Sequence, residues 1–369
     1  MALWRQDPVP AERRPVVTVR PSGSADFVGA DQRTLSAALA RLEHGGTLIL
    51  GAGRYVIRRT LFLPADLVLR GEPGSTLALP TPQLTAMFAP AGSRELVLVD
   101  EGEFAGEGQI AVFPPVGQEF LPDGESPGLG PLALTRMEGA RLFLREPLAT
   151  DVPAGSRVSY PIKLLWVNRA GRVRFENLTF DGGQRADLPV FGHFMHCAIW
   201  ASPPFGFGSE RLGPPARYVV VRNCRFHDWY GRPIALYHVE DSVIEGSLFE
   251  RTSDEAIDLD HYCRNVRVFG NVVRDAQWGI VLNDASCCTI EGNVLEDCGI
   301  GIHNWWFAKI PLGGINEENV IRHNVVTGSR ERSIFVDREC HRNVIEFNRV
   351  DREIEVVEPS NRVEANVVF

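Results

Sequence analysis

Nowhere in the 369 residues is there an apolar run of the ~18 residues that a membrane-spanning helix needs. The opening stretch, MALWRQDPVPAERRPVV, lacks the apolar h-region of a secretory leader. The expectation is therefore a cytoplasmic protein, or a secreted one whose leader has been removed. Positive charge is scarce. A net charge of −9 argues against a nucleic-acid partner, because phosphate binding needs a basic surface. It leaves room for an anionic sugar polymer held in a local basic cleft. Paired cysteine spacing is missing too. The seven cysteines (197, 224, 263, 287, 288, 298 and 340) are odd in number and show no CxxC pattern. They read as small buried side chains in a reducing compartment.

What the chain does have is a repeat. From residue 172 the segments VRFENLTFDG, VVVRNCRFHD, SVIEGSLFER, VRVFGNVVRD, CTIEGNVLED, NVIRHNVVTG, NVIEFNRVDR and NRVEANVVF align. Each alternates apolar residues around one polar position: Asn177, Asn223, Ser247, Asn271, Asn293, Asn324, Asn348 and Asn366. Apart from longer intervals that imply insertions, the period is about 22 to 24 residues. A second short strand follows each segment and places Ile199, Ile234, Ile257, Ile280, Ile302, Ile334 and Ile354 in one column. Short alternating strands repeating in register predict a coil that climbs one strand spacing per repeat. Alternate residues are then buried in a cylinder, and the asparagines stack as an internal hydrogen-bonded ladder.

This pattern resembles the right-handed parallel β-helix of the pectate-lyase-like superfamily, over most of residues 30 to 369. The fold class implied is all-β, a right-handed parallel β-helix with an N-terminal α-helical cap. The stretch DQRTLSAALARLEHGGTLILGAGRYVI is similar to the opening of such proteins, with a capping helix at about residues 33 to 43. The expected organisation is an N-terminal extension (1–30) and one β-helix domain (31–369). Loop insertions are expected near 110–130, 202–216 and 305–318.

In a strand, neighbours alternate faces. With the isoleucines inward, one outward column reads Trp200, Ala235, Asp258, Val281, His303, Phe335 and Glu355. The next contains Tyr237, Asp260, Asn283 and Trp305, followed at the strand ends by His238, His261, Asp284 and Trp306. Asp258 and Asp260 thus share one rung, about 7 Å apart by strand rise. Like charges so close need a cation, a proton or a substrate to compensate them. The expected centre has Asp258, Asp260, His261, His238, Tyr237 and His303 as catalytic groups. Arg232, Glu255, Trp278, Asn283, Asp284, Trp305, Trp306 and Lys309 are expected to bind substrate. Arg211 and Lys309 are candidate cations on the insertions. Calcium is a candidate ligand of Asp258, Asp260 and Asp284, because it takes oxygen donors; no other cofactor is implied. The expected partner is a carbohydrate, anionic in character. Neither a nucleic acid nor a membrane is expected, and the sequence carries no reading of oligomeric state.

The rung Asp258-Leu259-Asp260-His261 resembles the Asp-Pro-His-Asp motif of mannuronan C5-epimerases and related alginate lyases, with leucine for proline and the last two residues exchanged. That resemblance implies abstraction of the proton beside a uronate carboxylate. His261, His238 or His303 would be the base, Tyr237 the proton donor, and Arg232 or Lys309 the neutralising cation. The alternative is a polygalacturonase-like hydrolase drawing its acid pair from Asp254, Glu255, Asp258 and Asp260. A third reading is a carbohydrate-binding β-helix without chemistry.

Overall fold

The computed structural model describes residues 14–115, 128–168, 171–183, 196–203, 213–306 and 316–369. Its strands fall mainly into two long parallel sheets, of twelve and seventeen strands. Strands one coil apart pair directly, as a climbing coil requires. The isoleucine column is continuous through the described coils: Leu165, Ile199, Ile234, Ile257, Ile280, Ile302, Ile334 and Ile354 are successive register partners. All eight but Ile354 are fully or almost fully buried in one core. Aromatic rings stack along the same axis, with Phe226 lying 4.7 Å from Phe180 and 4.8 Å from Phe249.

The asparagine ladder is present. Asn271 N donates to Asn293 Oδ1 at 2.9 Å, and the pattern continues through Asn324, Asn348 and Asn366. Each amide nitrogen also donates to a carbonyl of the preceding coil, as Asn271 Nδ2 does to Ile244 O at 2.9 Å. Two expected members fall outside the ladder. Asn177 and Asn223 are exposed and left-handed (φ 56° and 52°), aligned with Gly246, Gly270 and Gly292. The buried position in their coils is taken by Leu178 and Cys224. Asparagine tolerates the left-handed turn that glycine fills elsewhere, so the same residue type marks two adjacent columns. A second ladder, unread in the sequence, runs through Asn319, Asn343 and Asn361, with Cys288 N as its first donor.

Two boundaries differ from expectation. Val16–Arg20 pairs in parallel with Gly46–Leu50, so the coil begins inside the segment read as an extension; Val17 and Val19 alternate into the core. The loop expected near 110–130 belongs to a longer excursion, residues 83 to 159. They build a six-stranded antiparallel sheet, after which the chain returns to its coil. Gly171–Glu176 then stacks straight onto Leu67–Gly71. The tip of this excursion, within the loop expected near 110–130, lies partly outside the described residues.

The expected helix spans Gln32–Arg41. Asp31 caps it by accepting from Thr34 N at 2.8 Å, and Leu35, Ala38 and Leu39 turn into the core. All seven cysteines are free, and six are buried; Cys287 is half-buried.

Candidate active site

The strand Arg232–Tyr237 and the end of Leu248–Asp260 lie side by side, with Ala235 opposite Asp258 and Tyr237 opposite Asp260. Val281 and His303 continue the first column on the next two rungs. The outward columns read from the sequence are therefore the observed ones. Outward from the cylinder is not outward to water, however. Cys197, Trp200, Ala235 and Tyr237 form a second buried cluster outside the main core. Trp200 stacks on Tyr237 at 4.5 Å. Asp258 has 0 % of its surface exposed and Asp260 2 %, so the expected open polar stripe is a buried one.

Arg232 organises it. Its Nε donates to Glu255 Oε2 at 2.7 Å and to Asp254 Oδ2 at 3.4 Å. Its Nη1 donates to Asp258 Oδ2 at 2.9 Å, to Asp260 Oδ2 at 3.4 Å and to the Tyr237 hydroxyl at 3.0 Å. Strict alternation from Ile257 would turn Glu255 into the core. Alternation breaks at Ala256 and Ile257, which both pack in the core, and this leaves Glu255 on the outer face. One guanidinium thus meets four carboxyl groups. Burial, with the neighbouring acids, pushes both Asp258 and Glu255 well above the usual carboxylate range. Asp258 Oδ1 has no hydrogen-bond partner. Burial likewise raises the Tyr237 phenol.

His261 is held differently. Its Nδ1 lies 3.0 Å from Asp284 Oδ2 and 3.1 Å from Asp260 Oδ1. Two carboxylate neighbours make Nδ1 the protonated nitrogen. His238 sits one rung away, its backbone N donating to His261 O at 2.8 Å, and burial lowers its pKa. His303 stacks between Trp305 (5.7 Å) and Phe335 (5.0 Å), with Trp278 at 6.0 Å. Neither ring nitrogen of His303 has a partner, and burial pushes its pKa down to about 4. Asn283 Oδ1 is also buried without a partner.

Several expected roles change. Arg232 spends its charge on internal carboxylates and is not free to neutralise a substrate carboxylate. Glu255 and Asp284 are engaged by Arg232 and His261, not turned to a ligand. Trp306 packs against the main core, because it follows Trp305 on the opposite face. Lys309 and Arg211 lie outside the described residues, as does most of the insertions near 202–216 and 305–318.

The three aspartates read as calcium ligands have other partners. Asp258 and Asp260 turn to the guanidinium and Asp284 to the imidazole. Among the described residues, the gathered donor set is instead Asp181, His227 and Asp228. Arg54 and Arg251 already hold its two aspartates.

Residues 165–314 match the family described as right-handed beta helix region. No curated protein matches the chain. Among solved structures, XylC in complex with xylose aligns at TM-score 0.54 and 10 % identity, over 93 % of this chain and 66 % of XylC, so the chain spans just under two thirds of that protein. A glycoside hydrolase aligns at 0.47 and 13 % identity, covering 95 % of this chain and 96 % of that one. The polygalacturonase of Erwinia carotovora ssp. carotovora aligns at 0.42 and 9 % identity, covering 96 % and 98 %. At such identities the likeness is one of fold. With its strands in register coil upon coil and that family match across its central coils, the protein is a right-handed parallel β-helix.

Proposed function

We propose that the protein is a carbohydrate-cleaving enzyme and that the carboxyl cluster around Arg232 is its reaction centre. The observation that carries this reading is the imbalance of charge: four carboxyl groups, three of them buried, share one guanidinium, and two are driven toward their protonated form. A carboxylic acid kept protonated near neutral pH is what a glycosidase uses to protonate a leaving-group oxygen. Asp258 is the assigned general acid, since one of its oxygens is uncommitted. A neighbouring carboxyl group, Asp260 or Asp254, is assigned to the water or the developing positive charge. Arg232 and Asp254, with 15 % and 19 % of their side chains exposed, mark the edge from which substrate approaches.

This reverses the order expected from the sequence. A lyase or epimerase needs an unspent cation beside the substrate carboxylate and a competent base. Arg232, the expected cation, is spent on internal carboxylates. A non-catalytic carbohydrate-binding surface is the second reading, favoured by the near-complete burial of Asp258 and Asp260. The helix Gln32–Arg41 fits the closure of the coil's first end in this scheme, its apolar face lying on the first strands.

The test is product analysis over a panel of polysaccharides. Hydrolysis releases reducing ends without an ultraviolet-absorbing unsaturated product, and Asp258→Asn lowers turnover by about 10² or more. Appearance of the unsaturated product would return the lyase to first place. Binding with no product of either kind would favour the non-catalytic surface.

A further inference from the structure

The chain's only lysines are Lys163 and Lys309; its other permanently cationic side chains are arginines. Lys163 lies on the strand Lys163–Val167, which pairs with Cys197–Ala201 and, through it, with Arg232–Tyr237. In register, Lys163 faces Cys197, and Cys197 faces Arg232. Lys163 is therefore two rungs from Arg232 along the same flank, about 9.6 Å at the ~4.8 Å strand spacing.

Its surroundings differ from those of Arg232. The Lys163 ammonium stands 3.7 Å above the Trp200 ring and 4.9 Å from the Trp166 ring. Phe62, largely exposed, extends this surface by stacking on Trp166 at 5.2 Å. No carboxylate pairs with Lys163 among the described residues. Burial lowers its pKa, as expected of an ammonium drawn from water without a counter-ion. Trp200 adds a second unmet demand. It is 6 % exposed, and its indole Nε1 is buried with no hydrogen-bond acceptor. Cation–π contact repays part of the cost of Lys163, but it satisfies neither the ammonium's N–H groups nor that indole.

We infer that Lys163, Trp166 and Trp200 form a subsite for an acidic sugar unit, placed two rungs from Asp258. Phe62 and the half-buried Trp166 accept the apolar side of a sugar ring, while Trp200, already stacked on Tyr237 and lying beneath the ammonium, holds the lysine in place. The ammonium pairs with its carboxylate or sulfate, and the indole N–H bonds one of its oxygens. The acidic group is thereby held away from the carboxyl cluster, whose negative charge would repel it. The inference rests on the reading of that cluster as a carbohydrate-cleaving centre, and it adds that the substrate bears an anion at a fixed distance from the cleaved bond.

The experiment is calorimetric titration of the full chain with tri-galacturonate and with its carboxyl-reduced galactose counterpart. Wild type is expected to bind the acidic trisaccharide about tenfold tighter or more, with the difference shrinking as sodium chloride is raised. Lys163→Met is expected to erase that preference while keeping the affinity for the reduced sugar, which also reports that the variant is folded. Trp200→Phe is expected to weaken both. No preference in wild type, or a preference that survives Lys163→Met, would overturn the inference. The two proposals fail separately. Lys163-dependent binding without turnover of any polysaccharide leaves the subsite standing and removes the reaction. Turnover lost in Asp258→Asn beside an unchanged preference in Lys163→Met does the reverse.

Discussion

At the scale of single residues, His303 makes the cleanest titration. Burial holds its pKa at about 4, against an ordinary value of 6.5, and neither nitrogen is bonded. The unfolded chain thus takes up a proton that the folded one refuses. Folding stability should fall as pH drops below 6.5 and level off near 4, by at most about 3 kcal/mol for this one group. His303→Phe keeps the stacking with Trp305 and Phe335 and removes the titration. Urea unfolding at pH 7 and pH 4.5 is expected to show a smaller acid loss in the variant than in wild type; equal losses would mean that His303 is solvated. The place of His303 in the outward column, beside that of Trp305, was legible from alternation alone. Its isolation was not, because missing partners are a property of packing. The same holds for Arg232. Its column could be read from the repeat, whereas its four carboxyl partners depend on how one long side chain folds across two rungs. Lys163 was hidden for another reason: residues 168 to 196 separate its strand from the next one, so no period connects it to the site.

At the scale of elements, the two asparagine columns behave differently. Asn271 bonds Ser247 N, Asn293 Oδ1 and Ile244 O inside the cylinder. Asn271→Ala should cost about 1–3 kcal/mol, since buried backbone groups lose their partner. Asn223 is exposed at φ 52°, where glycine is equally at home. Asn223→Gly should change stability by less than about 1 kcal/mol. Chemical denaturation of the two variants separates these cases, and equal costs would contradict the assignment of the columns. From sequence the two could not be told apart, because the step from 223 to 247 looks like a repeat of 24 while the strands are in a register of 23 (Arg222 opposite Glu245). The ladder through Asn319, Asn343 and Asn361 escaped notice because its earlier positions are held by Ser242, Val266 and Cys288, which share no chemistry. The antiparallel sheet between residues 83 and 159 offered no period at all. Its strands occur once each, so nothing in the chain repeats to reveal them.

At the scale of the molecule, a β-helix is stabilised coil against coil, and a cluster of acids on its central rungs is a cost spread over the whole. Asp258 and Glu255 have raised folded-state values, so the folded protein keeps protons that the unfolded chain releases. Stability should therefore decline as pH rises above the ordinary carboxylate range, by up to about 1.4 kcal/mol per pH unit for each retained proton, until the folded groups themselves ionise. Thermal unfolding from pH 6.5 to pH 8, above the range in which His303 titrates, should show that decline, and Asp258→Asn should flatten it while turnover is lost; a wild-type curve flat or rising across this range would contradict the burial argument. Difference infrared spectroscopy at pH 7 examines the retained proton itself, through the C=O stretch of an un-ionised carboxylic acid. The expected spectrum of the wild-type protein contains that band, and the Asp258→Asn, Glu255→Gln double variant lacks it. A wild-type spectrum at pH 7 with carboxylate bands alone would mean that every acid around Arg232 is ionised and that the cluster has no proton to give.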